Sequence, residues 1–323
     1  MGSEMCIRDR QDRDAIRQWL LGQRHRTEHP YTHARSGGWA WTDLPGGVPD
    51  ADDTAGALVA LKNLGLIDHK VIDAADAGVK WLLGLQNRDG GIPTFCRGWA
   101  KLPFDRSCPD LTAHAVAAMA SWGQTLGVAF EAKIRKSTER ALQYLVRTQT
   151  EDGAWLPLWF GNEDAVEQRN PTYGTARVVL GLLKLPPKYF PSMQVPLGKA
   201  VRWLLSAQNA DGGWGGAKVV TSSIEETALA VDALVSMLVV MSNHSAGWRE
   251  SNIPCETLSA AIARGANWLI DRTACGTSLE PTPIGLYFAR LWYFEKLYPL
   301  IFSLSALKKV SRAAMTNPSP RQT

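Results

Sequence analysis

Paired cysteines are missing from this chain. Its five cysteines stand at positions 6, 96, 108, 255 and 275, with no Cys-x-x-Cys among them. That argues against a zinc ribbon or a disulfide framework, and reduced thiols are the default. Charge of one sign is also scarce. Lys and Arg number 35 against 31 Asp and Glu, a net +4, too mild to argue for nucleic acid as a partner. Long apolar runs are absent as well. No uncharged stretch reaches the roughly 18 residues that a membrane-spanning helix needs. The closest, from Leu286 to Leu307, is interrupted by Arg290, Glu295 and Lys296. With 323 residues, 45% hydrophobic and 20% charged, the chain has room for one large domain or two small ones and an ordinary globular composition.

Tryptophan, by contrast, is plentiful, and the 13 Trp fall in a pattern. Arg17-Gln18-Trp19-Leu20-Leu21-Gly22-Gln23 aligns with Lys80-Trp81-Leu82-Leu83-Gly84-Leu85-Gln86. Further copies are Gln143-Tyr144-Leu145-Val146-Arg147-Thr148-Gln149 and Arg202-Trp203-Leu204-Leu205-Ser206-Ala207-Gln208, with a fading one at Asn267-Trp268-Leu269-Ile270. Several copies run into an Asp-Gly turn, at Asp89-Gly90, Asp152-Gly153 and Asp211-Gly212, a helix stop. Each turn is followed by an apolar stretch opening on a Thr-Ala step: Thr54-Ala55, Thr112-Ala113, Thr175-Ala176 and Thr227-Ala228. The spacing predicts two helices per repeat, and such a unit buries its faces only by stacking on its neighbours. Stacked pairs make either an open solenoid or a closed α/α toroid; the expected fold is all-α, a toroid of about five two-helix repeats. The Ala-, Gly- and Val-rich second helices suit its inner ring. In such a ring the inner helices start at one end of the cavity. Asp52, Asp53, Asp110 with His114, Tyr173, Glu225 and Glu226 are therefore expected to gather there.

The first ten residues, Met1 to Arg10, carry no helical period into the neighbouring segment and read as a non-native leader. The remaining organisation expected is a barrel over residues 11–310 and a flexible tail over 311–323.

The densest chemistry lies in Pro49-Asp50-Ala51-Asp52-Asp53-Thr54-Ala55, three carboxylates in four residues. Like charges so close favour retention of a proton that an isolated Asp would lose, which equips the cluster for acid chemistry. An N-cap is the simpler reading, but three carboxylates exceed what a cap needs. A hard cation is the other alternative; the pattern Asp-Asp-x-x-Asp is absent and metal ranks low. His114, near a second helix start, could tune a neighbouring carboxylate. Trp41, Phe95, Trp159, Tyr287 and Phe294 break the repeat or lie near the cavity end. Their π-faces would attract a cation where water is excluded. Leu286 to Tyr298 reads as an amphipathic aromatic helix that closes the toroid or lies on a membrane surface.

In combination these residues resemble the squalene–hopene cyclase family within the class II terpene cyclases. The Gln-turn-Trp elements are similar to that family's QW motifs, and Pro49 to Ala55 to its Pro-Asp-Val-Asp-Asp-Thr-Ala acid motif, with Ala51 in place of Val. Asp110-Leu111-Thr112-Ala113-His114 and Tyr173-Gly174-Thr175 resemble two further segments. The likeness runs from about residue 14 to residue 309 and corresponds to the catalytic C-terminal half of such enzymes. It implies an (α/α)6-type barrel and cofactor-independent cyclisation of squalene or a related isoprenoid to hopanoid-like triterpenes. Asp52 would protonate a terminal C=C bond, Asp50, Asp53 and His114 would hold and tune it, and Tyr173 would order the water that returns its proton. Trp41, Trp159 and Phe294, with Phe95 more loosely, fall where the family stabilises cations. It also implies an upstream helical domain and a peripheral, monotopic place on the cytoplasmic side of a membrane. Four departures stand out: the second turn ends in Ile92 rather than Trp, the fifth copy lacks the Gln and the Gly-Trp, Leu291 sits where the family has a Tyr, and Glu225-Glu226 replaces the usual Ser-Gln. A class II cyclase acting on a shorter isoprenyl diphosphate is a second reading, with Arg97, Lys101 and Arg106 as candidate diphosphate ligands. A non-catalytic α/α scaffold is a third. A protein prenyltransferase subunit, which needs a zinc site, ranks last.

Overall fold

The computed structural model describes residues 2–96, 99, 102–243, 253–286 and 289–316, with side chains from Gln11 to Met315. Among them are ten α-helices in five successive pairs. The first members are α1 (Gly2–Gln23), α3 (His69–Leu85), α5 (Val128–Thr148), α7 (Phe190–Ser206) and α9 (Cys255–Arg272). The second members are α2 (Ala51–Leu64), α4 (Pro109–Leu126), α6 (Pro171–Leu182), α8 (Ile224–Asn243) and α10 (Tyr298–Thr316). The first four pairs hold the Gln element at or just after the end of the first helix, as the repeat predicts, and the fifth lacks it. The chain divides into two compact units, Met1–Leu145 and Val146–Thr323. In the first, α2 packs on α3 and α4; in the second, α8 packs on α6, α9 and α10.

Burial separates the two kinds of helix. In α5 the buried side chains form one stripe, Ile134, Thr138, Ala141 and Leu145, the i, i+3, i+4 face of a helix with one side in water. In α8 every residue from Ile224 to Val235 is buried, the pattern of a helix covered all round.

The repeated residues have a physical account. Each Thr-Ala hydroxyl accepts the backbone N–H of the residue that ends the preceding turn: Thr54 from Trp39 at 2.9 Å, Thr112 from Ile92 at 2.8 Å, Thr175 from Trp155 at 2.9 Å and Thr227 from Trp214 at 2.8 Å. The bond needs only a backbone N–H, so Ile92 serves as well as Trp. The turn Gln spans repeats. Gln149 Nε2 donates to its own turn at Gly153 and to Pro196 on α7, at 2.9 and 2.8 Å. Gln86 and Gln208 make the equivalent pairs to Ser137 and Ala261. Trp203 and Trp268 donate back to the turn carboxylates Asp152 and Asp211. The turn Gly is fixed by φ and by space: Gly153 has φ +102°, and a Cβ there would lie 2.6 Å from the Lys199 carbonyl oxygen.

One expectation needs correction: among the described residues, the stretch from Leu286 to Phe294 forms strand rather than helix. Strand β4 (Pro283–Leu286) pairs antiparallel with β5 (Leu291–Phe294), Arg290 adopts φ +50° between them, and β4 also pairs with β3 (Phe160–Gly161). Aromatic residues suit a pleated surface, and a Cβ on Gly285 would stand 2.0 Å from the Leu291 carbonyl oxygen, so the bare glycine admits the close pairing. Packing onto α8 and α9 is made by α10. Helix α1 begins at Gly2, and α10 runs to Thr316. A small ladder, β1 (Ile92–Pro93) with β2 (Ser107–Cys108), joins the second turn to the start of α4. Among the described residues no helix is long and apolar enough to cross a membrane.

Thr227 tests the hydroxyl staple. Thr227→Val keeps the shape but removes the acceptor from the buried Trp214 N–H, and should cost about 1–3 kcal/mol in urea unfolding. Thr227→Ser should stay close to wild type. Equal stability of the Val variant would dismiss the staple.

Candidate active site

In the first unit the acid cluster sits at the start of α2, where two chain segments hold it. Asp50 N–H donates to the Trp39 carbonyl at 2.9 Å, and Ala51 N–H to the Thr94 carbonyl at 2.8 Å. Asp50 is the N-cap, its carboxylate accepting the Asp53 N–H at 2.8 Å. The capping reading is therefore correct for Asp50, and it leaves Asp52 and Asp53 over in the first turn.

Burial then sets the proton balance. The Asp50 carboxyl is buried; loss of water first, then the Asp53 and Asp52 charges, raise its pKa well above the ordinary carboxylate range. Burial also raises Asp53, with Asp52 adding to it, while a hydrogen bond from Asp50 works the other way. Asp50 and Asp53 thus form a hydrogen-bonded pair disposed to share a proton. Asp52 faces elsewhere: its Oδ1 lies 3.8 Å from His114 Nε2 near the start of α4. The Asp52 side chain retains 39% exposure against 17% for His114, so this is the carboxylate that an incoming molecule can reach. His114 lies over Gly56, one turn along α2 from Asp52.

Beside the cluster is a set of aromatic rings. Trp41, two residues beyond Trp39, meets Phe95 edge-on at 5.9 Å; Phe95, next to Thr94, contacts Trp99 at 5.2 Å and Phe104 at 5.5 Å. The same two segments that hold Asp50 and Ala51 therefore bring Trp41 and Phe95 together. Trp99 and Phe104 escape a reading of the sequence because they lie between repeat elements, where no period marks them. Trp41 is 57% exposed. Arg106, a candidate diphosphate ligand, is exposed; Arg97, Lys101 and Tyr287 lie outside the described residues.

In the second unit Tyr173 is buried in the first turn of α6. Its ring packs on Phe160 at 4.6 Å, and the Arg177 guanidinium lies 5.9 Å from the ring centre. Asn170 caps this helix, accepting the Tyr173 N–H at 2.9 Å. Asn170-Pro171 is a helix-start signature legible in the sequence. Trp159 is buried next to Phe160. Phe294 is 63% exposed and pairs with Pro283, whereas Phe160 pairs with Leu286 at the opposite end of β4. The structure therefore separates Phe294 from Phe160 and Tyr173. Glu225 and Glu226 are both buried. Glu225 accepts from Thr282 N–H and Oγ1 at 2.9 and 2.7 Å; Glu226 accepts from Asn170 and Asn162. Burial, then the Glu225 charge, raise Glu226 from 4.5 to about 7. Among the described residues no group of three His, Cys, Asp or Glu side chains is arranged to hold a metal ion.

Comparison with known proteins adds an independent line. Residues 7–312 match the family described as squalene-hopene cyclase C-terminal domain. The enfumafungin synthase of Hormonema carpetanum is 30% identical over 85% of this chain and 21% of its own length. The squalene–hopene cyclase of Bradyrhizobium diazoefficiens is 29% identical over 88% of this chain and 42% of its own length. The chain thus spans less than half of these curated relatives. A solved variant of the type II terpene cyclase MstE from Scytonema, in complex with geranylgeranyl dihydroxybenzoate, superposes with a TM-score of 0.64 at 18% identity, covering 94% of this chain and 82% of that one. That likeness is one of fold, and with the family match it assigns the chain to the α/α toroid class expected from its repeats.

Glu226 makes a pH prediction. Its folded pKa lies above the unfolded one, so the folded state holds the proton more tightly. The stability this contributes is complete below pH 4.5 and lost as pH rises through about 7. The loss is on the order of 3 kcal/mol. Glu226→Gln, which has no proton to lose, should flatten this part of the profile when urea unfolding is compared at pH 5 and pH 8. Parallel profiles for the two proteins would rule the assignment out.

Proposed function

The chain belongs to the squalene-hopene cyclase C-terminal domain family, and on that premise we propose that it carries the acid of a class II terpene cyclase acting on squalene or a similar isoprenoid. The observation that carries this reading is the division of labour among three carboxylates: an Asp50–Asp53 pair, with Asp50 buried, disposed to keep a proton, and an accessible Asp52 beside His114.

The chemistry follows from that arrangement. Asp52, in its acid form, gives its proton to the terminal C=C bond of the substrate; a C–H bond forms and a tertiary carbocation is left. Neighbouring double bonds close onto the cation in turn, and loss of a proton or addition of water ends the cascade. Asp52 is a strong enough acid only if its conjugate base is stabilised. A protonated His114 supplies that stabilisation, and an Asp50–Asp53 pair holding one proton presents one negative charge instead of two. Trp41 and Phe95, with Trp99 and Phe104 behind them, supply π-faces for the developing cation. Tyr173 is assigned to the water that restores the acid, on the resemblance of its Tyr-Gly-Thr segment; Trp159 and Phe294 are carried in the same way as cation-facing groups.

A partner surface is part of the proposal. Leu291, Phe294, Leu297, Leu300, Ile301 and Leu304, on β5, α10 and the link between them, are all exposed. Such a face supports contact with a further helical domain of the same protein, or with a membrane surface.

The test is turnover of squalene in detergent, with lipids resolved by mass spectrometry, in this chain and in any longer product of its gene. Asp52→Asn should lower cyclised product by about 10²-fold or more, and His114→Ala by less. Geranylgeranyl diphosphate, run in parallel, separates the triterpene reading from a diphosphate one. Wild type and Asp52→Asn giving the same product yield would end the acid assignment.

A further inference from the structure

Ser223-Ile224-Glu225-Glu226 reads as a capping box, in which a Ser N-cap and a Glu three residues on exchange hydrogen bonds through each other's backbone N–H groups. Only half of it forms. The Ser223 Oγ accepts the Glu226 N–H at 3.1 Å, but the Ser223 N–H is already given to the Trp214 carbonyl at 2.9 Å. Glu226 has no return bond to make at its own helix start.

Its side chain turns inward instead. A Glu226 Oε1 accepts from Asn170 Nδ2 at 2.8 Å and from Asn162 Nδ2 at 3.3 Å, while Oε2 is buried without a hydrogen-bond partner among the described residues. Asn170 is the N-cap of α6, and its Oδ1 accepts the Tyr173 N–H. An amide has one donating end and one accepting end. A carboxyl oxygen that takes the donating end of Asn170 fixes the accepting end on Tyr173. The same turn is held from another side, since Thr172 N–H donates to the Gly216 carbonyl at 3.0 Å, and a Cβ on Gly216 would stand 2.4 Å from Asn162 Cβ. The adjacent Glu225 does a different job, on Thr282 before β4.

We propose that Glu226 is a positioning residue that sets the first turn of α6, and with it the Tyr173 side chain, through the amide of Asn170. The proposal rests on the reading of Tyr173 as a group of the reaction site, and two independent measurements keep the two ideas apart.

The first is hydrogen exchange of the peptide around Tyr173 in the folded protein. Glu226→Ala and Asn170→Ala should each raise exchange at the first turn of α6 by about fivefold, the scale of a lost helix cap. Glu226→Gln should leave it near wild type, because its carbonyl oxygen keeps both Asn donors and its NH2 fits where Oε2 carries no donor. The second is the ratio of water-quenched to deprotonated products from squalene. Glu226→Ala should shift that ratio as Tyr173→Phe does, and the double variant should go no further than Tyr173→Phe alone. Unchanged exchange at α6 in Glu226→Ala overturns the proposal, as do effects that multiply independently in the double variant. If wild type makes no cyclised product, the cyclase reading falls and the exchange result alone decides the clamp.

Discussion

The hydroxyl of the Thr-Ala step is the contact from which this structure is built. It accepts the N–H of the residue ending the preceding turn, so the starts of α2, α4, α6 and α8 are each fixed against the end of the turn before them. Whatever stands one or two residues before that Thr is placed by the same bond. Asp52 and Asp53 precede Thr54, Asp110 precedes Thr112, Tyr173 precedes Thr175, and Glu225 and Glu226 precede Thr227. A packing device repeated for stability thus presents a polar residue at each of these four helix starts. The turn Gln and Gly complete the frame by tying each turn to the next first helix, so the position of one helix start depends on the next repeat along the chain.

That logic explains which parts were legible in the sequence. The repeats could be read because each rests on the same local residues in the same order: Gln before the turn, Gly in it, Thr after it. The acid cluster could be read because its residues are contiguous. The aromatic stretch 286–298 misled because apolar residues there satisfy a helical period and a strand equally well. The choice was made by a partner far away in the chain, β3 at Phe160, and by a glycine whose lack of a side chain admits the close pairing. Phe294 was assigned by position along the sequence, whereas the hairpin register turns it away from Phe160. Trp99 and Phe104 lay outside any period and became visible only through their ring contacts with Phe95.

Helix starts attract anions, and the chain answers that pull in opposite ways. Asp68 and Asp50 are both N-caps, and each accepts the N–H three residues on, at 2.9 and 2.8 Å. Asp68 is open to water; the Val71 N–H and then Arg17 hold its pKa below the ordinary value. Asp50 makes the same cap bond, yet its pKa lies well above that value, because it is buried and faces Asp53 rather than an arginine. Capping is constant between the two, so it cannot be what raises Asp50. Burial and a second carboxylate do. At α8 the pattern recurs with Glu226, buried beside Glu225 and likewise raised. The carboxyl accepts hydrogen bonds from two asparagines with or without its proton, so a pKa raised to about 7 leaves the Asn170 bond in place on either side of the titration. The same departure from ordinary titration therefore serves two ends in one chain: in the Asp cluster it favours a shared proton beside an accessible carboxylate, and at α8 it lets a buried acid side chain keep its asparagine partners whichever form it takes.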